Sequence, residues 1–270
     1  MTYDIGAWEL QSAEEEESGG GFWLPDSRLA MAPALLEPGR KPTTPVEIDW
    51  EHWAARDLEM QLLLTGKSFP PRNLATGRQL TGGGTPSIVY SDARAAPSGI
   101  EVYRDSVAAT HYLAHNYGNL NAGSFRVFGE LIANGLGTIF SLRVTGSSTN
   151  TLCWRSSDSA INLRINGSTV TLTSSQQLYS AGINDIVIQW NAASNTRELW
   201  VNGVLEDSDA TSFTWSDETN KKIGLFRDGS GAGYVYGWHR LVEIRSRMLA
   251  ASEVTVLNQA PYQFLRPKLC

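Results

Sequence analysis

Cysteine is nearly absent: Cys153 and Cys270 are the only two in 270 residues, too few for a disulfide framework or a four-cysteine zinc site. The fold must therefore be held by packing. No apolar run approaches the roughly 20 residues that cross a bilayer, and Met1-Thr2-Tyr3-Asp4 lacks the basic start and apolar stretch of a secretion signal. The expectation is a soluble chain with no export address and no membrane partner. Basic residues are in deficit, 22 against 28 acidic, and the resulting charge of −6 has the wrong sign for neutralising phosphates. With no dense Lys/Arg stripe either, no nucleic-acid partner is expected. What the chain does have is large aromatic side chains, nine Trp, nine Tyr and eight Phe, which supply a substantial core and exclude disorder throughout.

Residues 1–84 are heterogeneous. An acidic run at Glu14 to Glu17 and Gly19-Gly20-Gly21 read as a solvated linker, and prolines follow at 25, 33, 38, 42 and 45. The apolar beads Phe22-Trp23-Leu24-Pro25 and Leu29 to Leu36 sit on this proline-broken string, which suits an extended arm lying in a groove better than a helix bundle. Phe22, Trp23, Leu24, Leu35 and Leu36 cannot be buried within such an arm, so they are its candidate partner-binding residues. Near residues 49–64 the spacing of Trp50, Trp53, Ala54, Asp57, Leu58, Gln61 and Leu62 predicts a short amphipathic helix with Asp49 as N-cap.

After Gly82-Gly83-Gly84 the apolar period becomes two. Strands are predicted at 124–131, 138–144, 151–155, 160–165, 169–173, 185–191, 197–205, 222–227 and 234–244. Asn166-Gly167 and Asn202-Gly203 mark tight turns, because an Asn-Gly pair tolerates the positive φ of hairpin turns. Asn166-Gly167-Ser168 also spells a glycosylation sequon, which is read here as turn chemistry. A final segment, Ser252 to Gln259, predicts one short helix capped by Ser252 and stopped by Pro261.

Three blocks carry a family likeness. Ile186 to Val204 resembles a hairpin with a central Trp followed by a strand reading L-x-V-N-G-V. Ile223-Gly224 through Gly237 to Ile244, and Leu249-Ala250-Ala251-Ser252-Glu253-Val254, resemble the closing strands and following helix of the same family. That family is the laminin-G-like, concanavalin-type jelly roll. The resemblance implies an all-β fold, a two-sheet antiparallel jelly-roll sandwich at residues 85–248, with the arm and its short helix at 1–84 and a C-terminal helix and tail at 249–270. A narrower likeness lies in Pro45 to Trp50, Pro71 to Arg78 and Pro261 to Pro267, which look like flanks of jelly-roll proteins from tailed-bacteriophage virions. Met1 to Gln11 is outside this pattern. The resemblance implies a structural virion protein made in the bacterial cytoplasm, a capsid decoration or minor capsid protein. Its partners would be major capsid protein or tail subunits, and it would itself be a homo-oligomer.

A fold serves many functions, so two other classes stay open. One is a carbohydrate-binding module for host attachment, with Trp215, Tyr234 and Tyr236 as candidate sugar platforms and surface glycans as ligands. The other is a glycosidase, because Glu47-Ile48-Asp49-Trp50-Glu51 matches the E-x-D-x-E pattern of jelly-roll glucanases. Its place ahead of the β-region, running into a helical pattern, argues against catalysis. His111 and His115 lack the context of a zinc pair, and Thr65-Gly66-Lys67-Ser68 lacks the leading strand of a phosphate loop. Asp228, with Asp92 or Asp158, is a sparse acidic set for calcium, which needs six to eight oxygens. The expectation is a non-enzyme with no catalytic residues, no metal and no cofactor.

Overall fold

A computed structural model describes residues 42, 45–63, 72–78, 81–83, 112–114, 120–132, 138–144, 151–157, 160–165, 168–176, 178, 183–214, 221–225 and 236–268. At 81–83, 112–114, 130–132, 138–144, 151–157, 221–225 and 236–239 it describes the backbone alone. The strands are β1 (Val46–Ile48), β2 (Leu58–Leu63), β3 (Thr81–Gly83), β4 (Tyr112–Ala114), β5 (Ala122–Ile132), β6 (Thr138–Val144), β7 (Thr151–Ser157) and β8 (Ala160–Ile165). They continue with β9 (Ser168–Thr173), β10 (Asn184–Asn191), β11 (Thr196–Val201), β12 (Val204–Asp209), β13 (Lys221–Leu225), β14 (Tyr236–Arg245) and β15 (Leu265–Pro267). A 3-10 turn (Trp53–Ala55) and one helix, α1 (Ala251–Gln259), complete the set.

Antiparallel pairing builds a six-stranded sheet, β12-β11-β10-β5-β14-β2, a seven-stranded sheet, β3-β4-β13-β6-β7-β8-β9, and a small β1-β15 pair. This is the expected all-β sandwich. Alternation explains its core, because residues two apart on a strand share a face. Phe125 and Val127 of β5, Ile186, Ile188 and Trp190 of β10, and Val242 and Ile244 of β14 join Ile161, Leu163, Ile165 and Leu172 of β8 and β9 in one buried cluster. Burying each such side chain contributes about 1.5–3 kcal/mol. Trp190 sets a local limit: it lies opposite Gly123 in the β10-β5 register, and its indole N–H donates to the Leu120 carbonyl at 2.8 Å. At the β11-β12 turn Asn202 and Gly203 have φ of 52° and 81°, as a two-residue hairpin of type I′ requires.

The helix expected over 49–64 is not there. Only Trp53–Ala55 is helical, as a single 3-10 turn, and Leu58–Leu63 is the edge strand β2 paired with β14. Asp57, at φ 54°, breaks the helical path between them. Met60 and Leu62 face the core in alternation with Glu59 and Gln61 once β14 offers its ladder, while Leu58, past a register shift, packs in the cap. Asp49 is not a helix N-cap: its Oδ1 accepts from the Glu51 N–H at 3.2 Å, and the N-cap of the 3-10 turn is His52. Within the expected arm, β1, β2 and β3 therefore belong to the sheets. The C-terminal helix forms where expected, but its N-cap is Ala250 rather than Ser252.

Candidate functional site

The outer face of the six-stranded sheet is covered. β1, the 3-10 turn, α1 and β15 lie over it, burying Ile48, Ala54, Ala55, Leu249, Val254, Leu257, Tyr262, Phe264 and Leu265 against Val187, Trp200 and Leu241 of the sheet. Two segments far apart in sequence tie this cap together: β1 pairs with β15, the Asp49 N–H donates to Phe264 O at 2.8 Å, and the Lys268 N–H donates to Pro45 O at 2.9 Å. The 72–78 segment joins beside it, where Asn73 Oδ1 accepts from the Gln61 N–H at 3.0 Å and the Leu74 N–H donates to Gln61 O.

Beneath the cap lies a wholly buried charge network. Arg126 makes a bidentate pair with Asp185 at 2.8 Å and reaches Glu243 at 3.3 Å, and Glu243 also accepts from Arg245 at 2.6 Å. The remaining guanidinium donors hold the cap: Arg126 donates to Leu257 O at 2.8 Å and Arg245 to Ala54 O at 3.0 Å. Burial pushes the Asp185 carboxyl up against the pull of Arg126, whereas at Glu243 burial is outweighed by Arg245 and Arg126 and the carboxyl falls. Burial likewise raises the Tyr262 phenol to about 12. Wholly buried and tying the cap to the sheet through Leu257 O and Ala54 O, this network acts as a clasp, with Arg245 Nε its one guanidinium nitrogen lacking a partner among the described residues.

The outer face of the seven-stranded sheet is different. On β8 and β9, Ile161, Leu163 and Leu172 are buried in the core, while Asn162 and Arg164 are half-buried and Thr169, Thr171 and Thr173 are exposed. Thr171 Oγ1 donates to Asn162 Oδ1 at 2.6 Å across the two strands. The register extends this polar face inward along the sheet. Asn162 pairs with Trp154 of β7, Arg164 with Leu152, Leu152 with Ser141 of β6, and Arg143 of β6 with Lys222 of β13. The Trp154 register position thus lies beside the Asn162–Thr171 pair, an aromatic residue type next to a polar one, and a sugar ring stacks one face and hydrogen-bonds its rim. At the sandwich edge, Glu206 and Asp207 of β12 accept from Ser175 and Thr173 N–H and hydroxyl groups, closing the two sheets against each other.

Most residues singled out from the sequence fall elsewhere. Phe22, Trp23, Leu24, Leu35 and Leu36 lie outside the described residues, as do Trp215, Tyr234, His111, His115, Thr65 to Ser68, Asp92, Asp158 and Asp228, and Tyr236 is described in its backbone alone. Of the glucanase-like motif, Glu47 on β1 pairs with Arg266 at 2.8 Å on the exposed side of the cap, and Asp49 is held by the turn it starts. Trp50 beside them is 54% exposed. Among the described residues no group of three or more His, Cys, Asp or Glu could hold a metal ion. Sequence reasoning missed both the clasp and the open face. The available signal was charge inside otherwise apolar strands for the first, and strands with hydroxyl and amide residues at alternate positions for the second.

No family model and no curated protein matches the chain. Solved structures do share its fold. The binding domain of botulinum neurotoxin DC in complex with SialylT aligns at TM-score 0.56 and 12% identity, over 76% of this chain and 52% of that one. The botulinum neurotoxin serotype D binding domain aligns at 0.55 and 13%, over 75% and 51%. A botulinum neurotoxin type C structure, described by interaction with two ganglioside molecules, aligns at 0.53 and 11%, over 75% and 50%. The chain thus spans about half of these structures, and at such identity the likeness establishes the fold alone, the jelly-roll sandwich.

Proposed function

We propose that the chain is a non-catalytic carbohydrate-binding module that uses the outer face of its seven-stranded sheet. The observation that carries this reading is the asymmetry of the sandwich: one outer face is sealed by an apolar cap, and the other presents Asn162 and Thr171 in register with Trp154, with Arg164 two residues along β8. The fold neighbours described with SialylT or gangliosides support it, although those ligands belong to chains about twice the aligned length. Screening the full chain on a glycan array, followed by titration of the best ligand, tests the reading. Saturable binding that is lost in Trp154→Ala and weakened in Asn162→Ala is the expected result; an array with no bound glycan overturns it.

A virion setting is the second reading. The observation behind it is that the phrases resembling phage flanks are neighbours in space, since β1 pairs with β15 and the 72–78 segment bonds to β2. They constitute one cap rather than scattered matches. In that setting Phe22, Trp23, Leu24, Leu35 and Leu36 would bind capsid or tail subunits, the chain would assemble as a homo-oligomer, and the open face would meet host glycans. Mass spectrometry of purified virions, counting copies per particle, decides it.

A further inference from the structure

An edge strand carries a row of unpaired N–H and C=O groups that another chain can complete, so sheets usually blunt their edges. Of the edges of the two large sheets, β2, β12 and β3 are blunted in this way. β2 is covered by the 72–78 segment, where Leu62 bridges to Asn73 and Gln61 O accepts from the Leu74 N–H at 2.9 Å. β12 is acidic, with Glu206, Asp207 and Asp209, and a register shift against β11 bends it. β3 is only three residues long and ends in Gly82-Gly83.

The remaining edge, β9, has none of these devices. Ser168-Thr169-Val170-Thr171-Leu172-Thr173 holds no charge and no proline, and its register with β8 runs from Ser168 to Thr173 without a shift. Thr and Val are also good strand formers. The Thr173 N–H donates to Asp207 Oδ2 at 2.8 Å, so it points away from β8. Thr171 Oγ1 meets Asn162 Oδ1 at 2.6 Å, as suits the closer, non-hydrogen-bonded kind of pair. By the period of two, the N–H and C=O groups of Thr169 and Thr171 therefore point to the free side, and both residues are exposed. No backbone group among the described residues pairs with them there.

We propose that β9 is a self-association edge: a second copy of this chain lays its own β9 antiparallel to the first, about a two-fold axis at Val170, and joins the two seven-stranded sheets into one. In that register Thr169 faces Thr171 of the second copy, each such pair exchanges two N–H···O=C bonds, and Thr173 keeps its bond to Asp207. A second copy fits because isologous pairing sets a strand against itself, which an uncharged strand tolerates. The same pairing at β12 would bring Glu206, Asp207 and Asp209 together with their copies. Arg164 on β8 stays at least three strand spacings, about 14 Å, from its copy, beyond the screening length of about 8 Å at physiological salt. Paired residues share a face, so the two Asn162–Thr171 rows would lie on one side of the joined sheet. This self-association does not depend on whether that face binds sugar.

Sedimentation velocity of the full chain over about a hundredfold range of concentration tests the proposal, and a monomer–dimer equilibrium is the expected result. Thr169→Lys with Thr171→Lys, and separately Thr169→Glu with Thr171→Glu, place like charges across the two-fold and should each weaken association by about tenfold or more. A one-to-one mixture of the two variants should regain the dimer, which shows that neither loss is misfolding. A chain that stays monomeric throughout overturns the proposal, and so does a dimer that persists undiminished in the charged variants, since association would then use another surface. Two monomeric variants whose mixture also stays monomeric overturn the pairing of Thr169 with Thr171.

Discussion

Arg126 and Asp185 form a bidentate ion pair with both side chains wholly buried, Nε to Oδ1 and Nη2 to Oδ2 each at 2.8 Å. The pair lies diagonally across β5 and β10, since Asp185 is in register with Phe128, two residues from Arg126. Because Arg126 also holds the Leu257 carbonyl, removing Asp185 would strand a guanidinium beneath the cap. Asp185→Ala should therefore cost about 3–5 kcal/mol, whereas Arg126→Met with Asp185→Leu, which removes both charges, should cost less than the single change. Urea unfolding of the two variants measures this. A loss below about 1 kcal/mol for Asp185→Ala would show that Glu243 alone neutralises Arg126.

Acid should loosen the molecule through carboxylates held below their usual range. At Glu243 burial opposes ionisation, but Arg245 and Arg126 outweigh it and depress the carboxyl. Glu206 is lowered chiefly by the Ser175 hydroxyl, and at Glu253 the Arg247 and Ala250 hydrogen bonds outweigh burial. A depressed group contributes stability that is present above its unfolded value of 4.5 and is lost as pH falls through its folded value. Asp185 is raised from 3.8 by burial, so its contribution is present below 3.8 and lost as pH rises through its folded value. Glu253 and Glu243 therefore predict a urea midpoint that drops as pH falls below 4.5, a drop that Asp185 opposes and that is shallower in Glu253→Gln. Urea titrations from about pH 6 to pH 3 check the slope, and an unchanged slope in the variant would remove Glu253 from the account.

The sandwich was legible in the sequence because its strands repeat with period two and its turns carry Asn-Gly. β6 and β8 match their predicted bounds, and the hairpin at Asn202-Gly203 forms as read. The stretch Leu58–Leu63 was not legible, since Leu58, Met60 and Leu62 fit either period and only the distant β14 decides between them. Arg126, Asp185, Glu243 and Arg245 were hidden for a related reason. Charges on alternate strand positions ordinarily mark a solvated face, and nothing local reveals that residues 45–57 and 249–268 return to cover it. The open face needed the register, because Trp154, Asn162 and Thr171 come from three strands and meet only through pairing.

Gly123 faces the Trp190 indole so closely that a Cβ built there would lie 2.6 Å from Cζ2 and 3.0 Å from Cε2. Trp190 cannot yield easily, being fully buried and tied to Leu120 O through its N–H. Gly123→Ala should cost about 1–3 kcal/mol through overpacking, although alanine ordinarily favours a strand over glycine. Thermal melting followed by circular dichroism provides the measurement. An unchanged midpoint would mean that β5 shifts away from β10 at no cost.

Helix α1 begins without an acceptor at its N-cap. Ala250 has the extended backbone of a cap, φ −68° and ψ 155°, but its methyl group offers nothing to the free N–H groups of the first turn. The other half of a capping box is already in place, because Glu253 accepts from the Ala250 N–H at 2.8 Å while also pairing with Arg247. Ala250 is exposed, so a hydroxyl added there meets no packed neighbour. Ala250→Ser should complete the box and stabilise the chain by about 0.5–2 kcal/mol. The gain should appear as a higher urea midpoint with an unchanged slope, and it should shrink in Glu253→Ala, where the reciprocal bond is gone. If Ala250→Ser leaves the midpoint where it was, the packing of Val254 and Leu257 against the sheet, rather than the end of the helix, limits the stability of this segment.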